Sequence, residues 1–187
     1  MNIVARATGL ILRPEQEWRV IAAEPAETGS LLTDYAVPVA AIPAAASFIG
    51  MALFAGMLGN AFGVRIGPFS LLLHTIAGYV LSLVGVWVWG RIIAMLAPRF
   101  GGVGDETAAM KLAVYSPTAS WAAGIFAIIP PLAILSILGL YSLYIFYKGV
   151  PIVARVPQDR TLAFTVATIA CGLAVYILVA LVASLFL

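Results

Sequence analysis

Residues 111–148 read KLAVYSPTASWAAGIFAIIPPLAILSILGLYSLYIFYK, with no charged residue between Lys111 and Lys148. A bilayer core of about 30 Å is crossed by roughly 20 helical residues, so this stretch is too long for one straight crossing. Pro130 and Pro131 interrupt it near its centre. Two adjacent prolines remove two backbone donors and bias the residue before them away from helical geometry. The stretch therefore reads as a helical hairpin with arms at about 112–129 and 132–147. A pair of full crossings and a re-entrant hairpin both return the chain to the side it left.

Three more apolar runs flank the hairpin, at about 35–60, 69–96 and 162–187. The first two contain no acid and only one base, Arg91, and the last contains no charge. At 63% hydrophobic and 10% charged residues over 187 positions, with a mean hydropathy of +1.09, the chain needs lipid as its solvent. The expected fold is all-α: a polytopic bundle of five spans. Residues 1–34 form an N-terminal segment carrying an interfacial helix, and residues 35–187 form one membrane domain. Residues 1–12 have Arg6 in their middle and no cleavage pattern, so no signal peptide is read and the first span directs insertion. Cys171 is the single cysteine, which excludes an intrachain disulfide.

Charge fixes the expected orientation. With five spans and a cytoplasmic N-terminus, Arg6, Arg13, Arg19, Arg91, Arg99, Lys111, Lys148, Arg155 and Arg160 all fall at the cytoplasmic side, and Arg65 alone falls outside. Lysine and arginine in short loops carry that rule. The C-terminus is then outside. All eight acids share the cytoplasmic side, although they do not vote in it.

The cytoplasmic face comes in pieces. In Pro14-Glu15-Gln16-Glu17-Trp18-Arg19-Val20-Ile21, Pro14 suits a first helical turn and the two acids sit near its positive end. Trp18, Ile21 and Ala22 share one face, which predicts a short amphipathic helix lying at the interface or docking a partner. Residues 98–110 include Gly101-Gly102-Val103-Gly104, without the Lys-Ser/Thr ending of a phosphate-binding loop. Residues 148–161 are basic, and Lys148, Arg155 and Arg160 suit anionic lipid contact.

Within the spans the polar residues point to packing. His74, Gly78, Ser82 and Gly85 recur at spacings of three and four, a small-residue stripe for close helix approach. Ala46, Gly50, Ala52, Gly56 and Gly59 smooth the first span, and Thr165, Thr168 and Gly172 the last. Pro38 and Pro43 bend the first span, and Pro117 and Pro130 break later ones. Trp87 and Trp89 beside Arg91, and Tyr141, Tyr144 and Tyr147 beside Lys148, form aromatic belts with snorkelling bases. For Arg91 the alternative is an anion or lipid phosphate bound within the bundle.

Catalysis finds little material. His74 lies near the outer end of the second span and the carboxylates lie at the other face, so no Ser-His-Asp set assembles. A lone histidine makes no metal site, and no cofactor or nucleic acid is implied. The spans also lack the acids of an ion-coupled path.

Pro14-x-x-x-Trp18-x-x-Ile21, Tyr35-x-x-Pro38, Lys111-Leu112-Ala113-Val114-Tyr115-Ser116-Pro117, the Ile129-Pro130 break and Leu140-Tyr141-x-x-Tyr144 running to Lys148-Gly149 occur here in an order that resembles the bacterial branch of the YIP family, the Ypt/Rab-interacting membrane proteins. The resemblance implies a five-span fold. Eukaryotic members bind small GTPases and help shape transport vesicles; residues 1–34 offer no large domain for such binding, and that role is not carried over. The expected function is a noncatalytic scaffold or adaptor of a bacterial cytoplasmic membrane, contacting lipids and other membrane proteins or a second copy of itself. A small-solute channel or transporter is the alternative.

Overall fold

The computed structural model describes the backbone of residues 2–62 and 67–184, and the side chains of this range other than 55–62, 175, 176 and 178–184. Arg65 falls outside what is described, and of Gly56 and Gly59 only the backbone, within α4, is described. Among the described residues every regular element is helical. An N-terminal pair, α1 (Ile3–Leu12) and α2 (Pro14–Ala23), precedes α3 (Thr28–Leu31), which runs through a π-helical turn at Leu32–Ala36 into α4 (Val37–Phe62). There follow α5 (Pro68–Leu96), α6 (Glu106–Tyr115), α7 (Thr118–Ala123), α8 (Tyr141–Val153) and α9 (Gln158–Ser184).

Three helical stretches among the described residues are long and apolar enough to cross a membrane: Thr28–Phe54, Pro68–Phe100 and Pro130–Val153. The first begins ahead of the expected start at residue 35. Its π turn has a local cause. Pro38 has no N–H, and its ring would press on the carbonyl four residues back. The Val37 N–H bonds instead to the Leu32 carbonyl, one residue further than in an α-helix, and this wider turn admits the proline. Pro43 lies inside α4 and is used for packing: a Cβ at Gly124 would collide with its ring.

Prolines also divide the central stretch. Pro117 separates α6 from α7, with its carbonyl accepting from the Trp121 N–H at 2.9 Å. Ile129 is extended (φ −116°, ψ 107°) before Pro130 and Pro131, and a 3₁₀ helix follows from Pro130 to Leu140. The expected break is therefore present. The 3₁₀ geometry was not expected, and it adds reach. Its 11 residues rise about 2.0 Å each, giving about 22 Å, where an α-helix would give about 16 Å. The arms lie side by side: a Cβ at Gly139 would stand 3.0 Å from Ser120 Cα, and the Ser120 N–H donates to Ser142 Oγ at 2.8 Å.

The core is concentrated at one end. Trp18, Tyr35, Phe146, Phe164, Leu10, Ile21, Ile93 and Leu112 are fully buried there. Elsewhere the helices turn large apolar side chains outward, Phe69 at 78% and Ile134 at 74% exposure, as a lipid-facing surface does.

Candidate functional site

The charged segments, far apart in sequence, meet at the end of the bundle that holds this core. Helix α1 starts where Asn2 Oδ1 accepts from the Ala5 N–H at 3.1 Å, and its turns deliver Arg6 and Leu10 to the buried side. Helix α2 starts at Pro14 and presents Glu17, Trp18 and Ile21 inward, with Glu24 as its C-cap. The Arg6 guanidinium donates to Glu17 at 2.5 Å and to both Glu24 oxygens at 2.6 Å. It also lies 5.9 Å over the Tyr115 ring. Burial works to lower the Arg6 pKa, but the hydrogen bond and charge of Glu24, with the charge of Glu17, hold it above its ordinary value.

Lys111 closes the cluster from α6. Its ammonium donates to the carbonyls of Ile21 at 2.8 Å and Glu24 at 2.6 Å, a cation at the negative end of α2. Burial pushes its pKa below the ordinary value against the pull of Glu24 and Asp105. Beneath this layer Tyr35 and Tyr115 pack edge to face at 4.6 Å, and the Tyr35 and Thr118 hydroxyls are 2.8 Å apart. At the outer edge Arg91 pairs with Glu106 and stacks 5.3 Å over Trp87. Lys148 stands 3.7 Å from Glu15 and 5.7 Å over Tyr144. Arg155 is exposed with a left-handed φ of 54°, and Arg160 is exposed beside Asp159 at 3.8 Å.

Two expectations are corrected. Trp18 is not an interfacial anchor: it is fully buried, with Nε1 donating to the Ile145 carbonyl at 2.9 Å. The apolar face of α2 is covered by protein, chiefly α8, and not by lipid. The helix with an outward apolar stripe is α1, where Val4 is 74% and Leu12 71% exposed. Nor does the stripe of His74, Gly78, Ser82 and Gly85 pack within the chain. All four are exposed, and a Cβ at Gly78 or Gly85 would touch nothing within 4 Å. Helix α5 makes its close approach at Gly90, where a Cβ would stand 2.8 Å from Met110 Cε and 3.5 Å from Ala113 Cβ.

The glycine-rich turn also has a plain structural use. Gly101, at φ +82°, ends the 3₁₀ turn Ala97–Phe100, and the Gly102 N–H returns to the Ala97 carbonyl at 2.9 Å. The sequence reading passed over the Arg6, Glu17, Glu24 and Lys111 cluster. Its available signal was Glu17, Ile21 and Glu24 at spacings of four and three on one face of α2, and a lysine opening a long apolar run. The cluster's groups pair with one another, an arrangement suited to holding a shaped surface. Among the described residues no three His, Cys, Asp or Glu side chains gather as a metal site.

An all-helical protein with this lipid-facing surface and one charged, packed end is an integral membrane protein. The Yip1 domain model matches residues 8–182, and the chain belongs to the Yip1 domain family. It is similar to inner membrane protein YohC of Escherichia coli strain K12, at 27% identity over 171 residues covering 89% of this chain and 88% of that protein. The same figures hold for YohC of E. coli O6:H1 strain CFT073. No solved structure matches. This kinship and the apolar helices place the chain in a bacterial inner membrane.

Proposed function

We propose that this chain is a noncatalytic membrane scaffold or adaptor of five spans, N-terminus in the cytoplasm and C-terminus outside, working through partner and lipid contacts at its charged end. The observation carrying this reading is how the N-terminal pair is held: Arg6 ties α1 to Glu17 and Glu24 of α2, and α2 is tied to the bundle by Lys111 on its carbonyls and by Trp18 on Ile145. These bonds give the charged end a fixed shape, the property a docking surface needs.

The depth of the hairpin tip is marked by Gly50. A Cβ there would meet the Ala127 carbonyl and stand 2.9 Å from that of Ile128, so the hairpin tip lies level with Gly50. Counted from Asp34, the last acid before the first span, Gly50 is about 24 Å along the helix at 1.5 Å per residue, and α4 runs on to Phe62, so the hairpin tip is deep in the bundle but short of its far end. The functional test pairs two measurements. Photo-crosslinkers on exposed Gln16 and Arg99 in living cells are expected to capture a reproducible membrane partner or lipid, and the protein in sealed liposomes is expected to show no solute flux above empty controls. Saturable flux abolished by bulky substitution of Gly78 or Gly85 would replace the scaffold reading with a transport one.

A further inference from the structure

A cavity of about 170 Å³ opens at the charged end between α2, α6 and the last turn of α8, lined by Ala22, Val103, Asp105, Lys111, Val153 and Arg155 among others. We infer that it is a binding pocket for a phosphate group, with Arg155 and Lys111 as its cationic ligands. Its lining carries two cations and one carboxylate. The carboxylate is already engaged, because Asp105 caps α6 by accepting from the N–H groups of Thr107 at 3.1 Å and Ala108 at 3.3 Å. Lys111 uses two of its three N–H donors on carbonyls, which leaves one. Arg155 has no hydrogen-bond or ion-pair partner among the described residues.

Backbone geometry singles out Arg155. It follows Ala154, the C-cap of α8, and takes the left-handed conformation with φ 54° that glycine fills most easily at a helix C-terminus. A long charged side chain there costs stability that glycine would not, and such local strain concentrates at functional positions. The neighbouring wall is fixed, with the Val103 N–H donating to the Ala154 carbonyl at 2.9 Å. At about 30 Å³ per water, the cavity has room for a phosphate group with a few waters. The apolar side chains of Val103 and Val153 beside the cations suit a phosphate that carries an acyl or glyceryl body.

The phosphate source is either a lipid headgroup or a free phosphate, and both are tested with the full chain purified in detergent. Binding of dihexanoyl phosphatidylglycerol, inorganic phosphate and an uncharged alkyl glucoside is measured by calorimetry, alongside thermal unfolding. Saturable binding of the phospholipid, with inorganic phosphate competing weakly, assigns a headgroup; equal or tighter binding of inorganic phosphate assigns the free ion. Arg155→Gly suits the left-handed backbone, so it is expected to keep or raise Tm while weakening phosphate binding at least about tenfold, as loss of a charge-assisted hydrogen bond predicts. Arg155→Lys is expected to retain part of the binding. Undiminished binding in Arg155→Gly, or no phosphate binding by the native protein, overturns the assignment.

Discussion

The indole Nε1 of Trp18 donates to the Ile145 carbonyl at 2.9 Å, across 127 positions of sequence, and the same ring lies directly over Gly149. A Cβ at Gly149 would stand 2.5 Å from Trp18 Cε2 and 2.7 Å from Leu112 Cδ2. Gly149→Ala therefore overfills the contact between α2 and α8, at an expected cost of about 1–3 kcal/mol. Trp18→Phe keeps most of the ring and loses the hydrogen bond, at about 1 kcal/mol. Limited proteolysis of the N-terminal residues in detergent should accelerate in that order of severity. Equal protection in both variants and the native protein would show that α2 is held by other contacts.

Arg6 is buried, while its partners Glu17 and Glu24 keep 22% and 44% of their side chains exposed. Removing the arginine leaves acids that can still reach water, so the expected cost of Arg6→Met is about 2 kcal/mol, below that of a fully buried pair. A double-mutant cycle of Arg6→Met with Glu24→Gln should give a coupling of about 1 kcal/mol or more, weakly dependent on salt because the guanidinium is shielded. Strictly additive losses would deny the pair any role.

Lys111 predicts a pH effect of definite sign. Its folded pKa lies below the ordinary 10.5, so between that lowered value and 10.5 the unfolded chain binds more protons. Stability from this group rises with pH through that window. Lys111→Met leaves the two α2 carbonyls without their cation, at about 2 kcal/mol near neutrality, and removes the alkaline rise as well. The stability gap between native protein and variant should therefore widen on approaching pH 10.5. A gap that narrows there would contradict the buried placement of the ammonium.

The glycines of α5 separate packing inside the chain from association between chains. Gly90→Leu should disrupt the approach of α5 to α6, since even a Cβ meets Met110. Gly78→Leu and Gly85→Leu meet open space and should change monomer unfolding by less than about 0.5 kcal/mol. Crosslinking in membranes then tests self-association: a dimer through the exposed stripe is lost in these variants and not in a polar-face control.

Sequence made the proline breaks and the gathering of charge readable because both follow from backbone chemistry and from the energy of charge in lipid. The partner of a buried face was not readable. Trp18 and Ile21 show the same spacing whether lipid or protein covers them, and only the fold brings Ile145 and Gly149 beneath the indole. Small residues likewise permit close approach without requiring it. The sequence reading picked out Gly78 and Gly85 and passed over Gly90, the one that Met110 and Ala113 of α6 cover. The 3₁₀ run after Pro130 left no periodic mark, because Ser136 is the one polar side chain in it.

The number of crossings can be tested at the C-terminus. If Ile129–Pro130 turns the chain at the far side of the bilayer, α9 leaves the charged end at Gln158 and carries Leu187 outside; a shallow hairpin gives the same parity, while a single crossing reverses it. A cysteine appended after Leu187 in a Cys171→Ser background should react with a membrane-impermeant thiol reagent in cells whose inner membrane is intact. A second cysteine at Ile129 separates the remaining cases, reacting from outside if the hairpin crosses and staying protected if it stops within the bilayer. Labelling of the appended cysteine only after permeabilisation would overturn the proposed topology of five spans with the N-terminus in the cytoplasm and the C-terminus outside.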